Sequence, residues 1–192
     1  LVDYAKFFDT VDLVLLIDKI IENQYPCYEA FMSLQQHLSP RVLQCEGFSS
    51  TAITINRSII AGDGQSVAFT RNYVMKDMKH VVALNRTVYI NLFVDDTSLF
   101  ASGPKASFGS ANSNDSIVNV MAHCAKMCFT TADNLNLTIS DKTAIVGSNH
   151  AMALRFQKAI KDEHDFDFPI QSHARDLGVT FNASKAKPDN SL

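Results

Sequence analysis

The sequence predicts an α+β fold, a mostly antiparallel sheet with helices packed on one face. Residues Thr87–Ala101, TVYINLFVDDTSLFA, form two alternating, partly β-branched runs broken by Asp95-Asp96, the pattern of a hairpin. Stretches beginning near Asp9, Cys27, Ser66, Asn114 and Ala151 repeat apolar residues at helical spacing. The elements follow the order β-α-α-β-β-α-ββ-α-β-α-β, which brings strand ends and hairpin tips to one edge of a sheet. With 192 residues and 46% hydrophobic content, the chain can bury one core, with room for a small satellite.

Leu1–Tyr4 reads as the end of a strand, so the sequence is expected to be a segment of a longer protein. Asp9 or Thr10 caps a helix through about Gln24, with Val11, Val14, Leu15, Ile17 and Ile21 as its apolar face. Pro26 fits the first turn of a second helix, Cys27–Leu38, which Ser39-Pro40 ends. Arg41–Glu46 and Thr51–Ile60 are expected to pair as a half-solvated hairpin. Gly62-Asp63-Gly64-Gln65 is a flexible junction into a helix over Ser66–Leu84, carrying Val67, Phe69, Tyr73, Val74, Met78, Val81 and Val82.

After the central hairpin, Ser102–Ser113 has loop composition. A helix then runs from Asn114 or Asp115 to about Asp133, facing Ile117, Val120, Met121, Cys124, Met127 and Cys128 inward. Leu135–Ile139 and Thr143–Val146 read as strands around Asp141-Lys142. A helix over Ala151–Lys161, a polar turn to Pro169 and a last strand over Leu177–Phe181 complete the pattern. Residues 182–192 read as a disordered tail.

Seventeen basic against twenty acidic residues give a net charge of −3, which excludes an indiscriminate nucleic-acid binder but leaves room for a local groove. Cys27, Cys45, Cys124 and Cys128 include no CxxC and no secreted disulfide framework. Cys124 and Cys128, one helical turn apart beside His123, are too few ligands for a zinc site and read as buried reduced thiols. No stretch has the length of a transmembrane span and no signal peptide is visible, so an intracellular location, nuclear or cytoplasmic, is expected.

The chemistry gathers on carboxylates. Side chains alternate across a strand, so Asp95 and Asp96 cannot both face the core, and a buried unpaired carboxylate costs several kcal/mol. A divalent cation would relieve their repulsion. If Asp3, at the polar end of the first strand, lies beside Asp95, oxygens from separate strands could hold Mg²⁺, with Mn²⁺ as a substitute. Metals about 4 Å apart can activate an attacking oxygen and stabilise a leaving phosphate oxygen. Lys6 could then meet a phosphate, and Gln65 could contact a ligand lying over the sheet.

The chain resembles the palm region of reverse transcriptases of the non-long-terminal-repeat retrotransposon class. The resemblance rests on Asp3-x-x-Lys6-x-Phe8-Asp9, Gly62-Asp63-Gly64-Gln65, Phe93-Val94-Asp95-Asp96, Leu135-Asn136-Leu137 through Lys142-Thr143, and Arg175-Asp176-Leu177-Gly178-Val179. In order and spacing these span Asp3 to about Phe181, so residues 1–181 would be a partial reverse transcriptase domain, a palm-type sheet with part of the fingers. The resemblance implies RNA-directed DNA synthesis from dNTPs, an RNA template and a DNA primer, with no membrane partner. Asp3, Asp95 and Asp96 would be the catalytic metal ligands. Phe8 would be the steric gate against a ribose 2′-hydroxyl, and Lys6 and Gln65 would border the nucleotide. Lys142 would protonate the departing pyrophosphate, and Leu177, Gly178 and Val179 would support the primer end.

Two departures qualify these expectations. Ser66 stands where the family's second block has Gly, adding a Cβ at a point of close approach, and Thr70-Arg71 stand where Ser-Pro is usual. The family's upstream fingers and its thumb have no counterpart here, so weak or absent activity is expected of this segment alone. The competing readings are a catalytically inactive retrotransposon remnant that binds nucleic acid or protein, and a different two-metal enzyme such as a nuclease. The nuclease reading lacks a further cluster of Asp, Glu or His.

Overall fold

The computed structural model describes residues 1–102, 111–164, 166–176 and 179–182. Helices α1 (Phe7–Thr10), α2 (Leu13–Glu22) and α3 (Cys27–Leu38) precede a small ribbon of β1 (Gln44–Cys45) and β2 (Phe48–Ser49). Helix α4 (Ser66–Leu84) leads into the central hairpin, β3 (Val88–Phe93) and β4 (Asp96–Ala101). Helices α5 (Ala111–Asn134) and α6 (His150–His164) and the ribbon β5 (His173–Asp176) and β6 (Val179–Asn182) follow. Helices and antiparallel strands thus share one chain, as expected of an α+β protein.

Among the described residues the strands form three separate two-stranded antiparallel ribbons rather than one continuous sheet. Single bridges extend the central ribbon: Val2 pairs with Thr97, and Tyr4 pairs with Ile139, both antiparallel. The first residues therefore lie between β4 and the segment that follows α5. Backbone bonds from Ala5 N–H to Thr138 C=O (2.8 Å) and from Ala144 N–H to Leu1 C=O (3.1 Å) secure the outer side. The core lies beneath this layer, where Val2, Tyr4, Phe7, Leu16, Phe69, Tyr73, Cys128 and Phe129 pack together.

Several boundaries differ from the sequence expectation. The first helix is split, because Asp12 rather than Asp9 or Thr10 caps α2, its carboxylate accepting the Val14 and Leu15 N–H groups at 3.0 and 3.1 Å. That start turns Leu13, Leu16 and Ile20 inward and leaves Val14 and Ile21 exposed. In α4 the inward set holds, except that Val67 and Val82 face solvent. The expected hairpin over Arg41–Ile60 shrinks to β1–β2 and a single Arg41–Ile53 bridge, because Glu46 (φ 46°) and Gly47 (φ 86°) both take the left-handed conformation of a tight turn.

The expected strand over Leu135–Ile139 is instead a helix end. Asn136, at φ 55°, sends its N–H to Asp133 C=O (3.0 Å) while Leu137 N–H reaches Ala132 C=O (2.8 Å), a Schellman motif. Only Ile139 joins a ladder there, and only Ile145 does so in the second expected strand, pairing with Ile170. Helix α5 begins at Ala111, inside the expected loop, and α6 extends past Lys161 to His164. The last strand pairs with β5, which the sequence pattern did not reveal. Residues 103–110 of the expected loop, and 183–192 of the expected tail, lie outside the described residues.

Cys124 and Cys128 are buried free thiols, as their helical spacing indicated. The hydrogen bond with Cys124 and burial together hold the Cys128 thiol far above its ordinary range. Among the described residues no helix is long and apolar enough to cross a membrane.

Candidate functional site

The central hairpin turns in two residues, since Phe93 pairs with Asp96 and leaves Val94-Asp95 as the connection. Val94 takes φ 56°, the positive φ that the first connecting residue of a primed hairpin turn requires. That turn prefers Gly at its first position, because a β-branched side chain collides with its own backbone there. A strained residue of this kind costs on the order of 1–3 kcal/mol and persists only where its surroundings impose it. The strain falls between the hairpin's last β3 residue and its two aspartates.

Asp3 reaches this tip through strand pairing. Val2 and Thr97 are both buried, so the next pair along the antiparallel register, Asp3 and Asp96, shares the opposite, partly exposed face. Non-hydrogen-bonded antiparallel neighbours of this kind stand about 4.5 Å apart at Cα. Asp95 follows in the turn and is also half-exposed. The register therefore sets Asp3 opposite Asp96, with Asp95 the adjacent residue of the turn.

The far side of Asp3 is held by the turn after α5. Ser140 N–H donates to Asp3 C=O at 2.8 Å, and Asp3 N–H donates to Thr143 Oγ1 at 3.1 Å. Lys142 lies within that turn, exposed, its N–H donating to Ser140 Oγ at 3.1 Å. Thr143, quoted from sequence only as the end of the fourth block, fixes the Asp3 backbone, a role that only the bond itself reveals.

Lys6 is exposed and left-handed (φ 51°), and its C=O accepts the Asp9 and Thr10 N–H groups that open α1. Phe8 is half-buried, edge-on to Phe7 at 5.7 Å, and its C=O accepts Ile59 N–H at 2.9 Å. Gln65 stands at the start of α4, half-buried, with Tyr25 O–H donating to its Oε1 at 2.7 Å. Val179 is the β6 partner of Asp176; Leu177 and Gly178 lie outside the described residues.

Two carboxylates on adjacent strands are hard oxygen donors of the kind Mg²⁺ takes, an ion commonly held by one or two carboxylates with substrate phosphates and water completing its shell. Among the described residues, no three His, Cys, Asp or Glu side chains are grouped so as to hold a metal ion by themselves. Asp3, Asp95 and Asp96 therefore form no such group, and a phosphate and water would have to complete the shell of any ion between them. A cavity of about 360 Å³ between β4, α5 and α6 is lined by Leu99, Met121, Ile145 and Phe156, reaches Val2 and Thr143 beside Asp3, and includes no carboxylate. Comparison with protein-family models, curated proteins and solved structures gave no match to this chain.

Proposed function

We propose that this chain carries the palm of an RNA-directed DNA polymerase, extending a DNA primer on an RNA template with dNTPs. The observation that carries the reading is the Val2–Thr97 bridge, whose register sets Asp3 opposite Asp96 at the mouth of a hairpin whose strained turn presents Asp95. A solvated turn has no need of a β-branched residue in the position that favours Gly, and strain of this kind collects at functional sites. The five sequence blocks that resemble the reverse transcriptase palm lend the reading its substrate class.

In this reading Asp3 and Asp95 hold the catalytic ions, with Asp96 as the neighbouring carboxylate. Mg²⁺, when bound, would sharpen the primer 3′-oxygen as a nucleophile and offset charge on the phosphates. The primer oxygen attacks the α-phosphorus in line, and the bond to pyrophosphate breaks. Lys142, exposed in the turn strapped to Asp3, is the proton donor to the leaving group. Phe8 borders the sugar and excludes a 2′-hydroxyl, Lys6 meets the triphosphate, and Gln65 contacts the nucleotide. Val179, with Leu177 and Gly178, supports the primer end.

Primer extension on a primed RNA template with dNTPs and Mg²⁺ tests this, using this chain and the chain extended by its flanking coding sequence. Extension by the longer protein that vanishes in Asp95→Asn supports catalysis; extension indifferent to Asp95→Asn refutes the ligand assignment. A second reading is a catalytically inactive remnant that binds nucleic acid or protein. It is favoured by Ser66, buried where the family has Gly. Extension absent from every longer form would support it.

A further inference from the structure

Resting on the nucleotide reading above, we propose that His37 and Tyr25 are positioning residues: together they lock the Gly62–Gln65 turn and aim the Gln65 amide NH₂ at an acceptor atom of the bound nucleotide. His37 projects from α3 and is completely buried. Its Nδ1 accepts Ile60 N–H at 2.9 Å, so in the neutral ring the proton belongs to Nε2. Nε2 stands 3.4 Å from Asp63 Oδ2 without forming an aligned hydrogen bond, so it acts on that carboxylate through its dipole. The same Oδ2 accepts Gln65 N–H at 2.9 Å. One imidazole thereby holds Ile60 before the turn and lies beside the carboxylate that accepts Gln65 N–H.

Ile60 is gripped from its other side as well. Its C=O accepts Asp63 N–H at 3.2 Å and the Ser66 hydroxyl. Ser66 therefore closes the turn, and its extra atoms point at Ile60. Phe69, one turn into α4, packs edge-on against both the His37 ring (5.4 Å) and the Tyr25 ring (6.3 Å), so the two positioning side chains share a wall.

Tyr25 is delivered by the end of α2. Gln24, at φ 53°, sends its N–H to Ile21 C=O and Tyr25 N–H reaches Ile20 C=O, a Schellman stop that turns the chain toward α4. The Tyr25 phenol donates to Gln65 Oε1, which fixes the amide's orientation and turns its NH₂ donors away from Tyr25. A phosphate or sugar oxygen is the kind of group such a donor takes. An apolar side chain at position 37 would fill the core without the cost of a buried imidazole; what the imidazole adds is an acceptor for Ile60 N–H and a place beside Asp63, whose Oδ2 accepts Gln65 N–H.

The test measures dTTP binding in MgCl₂ by equilibrium dialysis, backbone amide exchange over residues 60–66, and the Gln65 side-chain amide resonances, on this whole chain and its variants. Tyr25→Phe keeps the ring packing and is expected to weaken dTTP binding about five-fold, one hydrogen bond's worth, and to move the Gln65 amide resonances toward those of an exposed glutamine. His37→Leu should speed exchange at Ile60 about ten-fold or more, and His37→Asn, which keeps an acceptor in place of Nδ1, should restore much of the protection. Wild-type affinity and unmoved resonances in Tyr25→Phe, or unchanged Ile60 exchange in His37→Leu, overturn the proposal. If His37→Leu does not fold, Ile60 protection in His37→Asn and the Tyr25→Phe results decide it. If the wild-type chain takes up no dTTP, the ligand assigned to Gln65 falls while primer extension by the longer protein judges the polymerase reading, and the lock itself stands or falls with the Gln65 resonances in Tyr25→Phe.

Discussion

Val2 and Thr97 exchange backbone hydrogen bonds, Val2 N–H to Thr97 C=O at 2.7 Å and Thr97 N–H to Val2 C=O at 3.2 Å. This closely bonded pair makes the next pair, Asp3 with Asp96, a non-bonded one, in which side chains stand nearest. Two like charges in that arrangement destabilise the strand pairing.

Replacing Asp3 with Asn should therefore stabilise the metal-free chain, by roughly 0.5–1 kcal/mol. The wild-type chain should gain thermal stability from saturating MgCl₂, since a ligand of the native state raises its midpoint, and Asp3→Asn should lose most of that gain. Thermal scans in EDTA and in MgCl₂ check both. An Mg²⁺ shift that survives Asp3→Asn would remove Asp3 from the ion's ligands.

Val94→Gly should relieve the positive-φ strain and raise stability by about 1 kcal/mol, the relief being partly offset by the entropy of Gly in the unfolded chain. Urea unfolding of the two proteins measures it. A lower midpoint for the variant would mean that Val94 is comfortable in this turn. Any primer extension by the longer protein should fall in the same variant, because a freer turn no longer fixes Asp95.

Burial holds the His37 imidazole below its ordinary 6.5; the Asp63 carboxylate pulls it upward and Arg41 adds to the depression. The unfolded chain then binds a proton near pH 6.5 that the native state still refuses. The stabilisation contributed by neutral His37 is complete above about 6.5 and is lost as pH falls through the lower native value. Protonation would also place an Nδ1–H against the Ile60 N–H. Urea midpoints at pH 7.5 and at pH 5.5 should fall toward acid in the wild type and fall less in His37→Asn; equal acid sensitivity would assign the effect to other groups.

Tyr73→Phe should cost about 1–3 kcal/mol. The Tyr73 hydroxyl, in a wholly buried side chain, donates to Leu135 C=O at 2.6 Å and accepts Asp12 N–H at 3.3 Å, so it joins the end of α5 to the start of α2. Burial also pushes its phenol up to about 12, keeping the donor proton in place. A denaturation midpoint unchanged by the substitution would show that water serves both groups as well.

Much of the local structure was legible in advance. Helix α3 ends where Ser39-Pro40 said it would, and α4 covers the expected Ser66–Leu84. The hairpin about Asp95 was also legible, although its turn was not: no Gly marks the position that Val94 occupies. The same local rules failed at Asp12 and Asn136. In both stretches several residues could cap or break a helix, and only the packed neighbours select one.

The candidate site divides in the same way. The sequence by itself determined which residues could do the chemistry: a carboxylate at the end of a first strand, two more at a hairpin tip, and a glutamine opening a helix. It determined the α+β class as well, because apolar periodicity and capping act over a few neighbouring residues. Only the tertiary structure decided that Asp3 comes opposite Asp96 at the hairpin tip, that Thr143 holds the Asp3 backbone, and that His37 and Tyr25 converge on the turn before α4. Strand register and buried polar contacts join residues far apart in the chain, and the side chains that meet there are chosen by what the whole core can bury together.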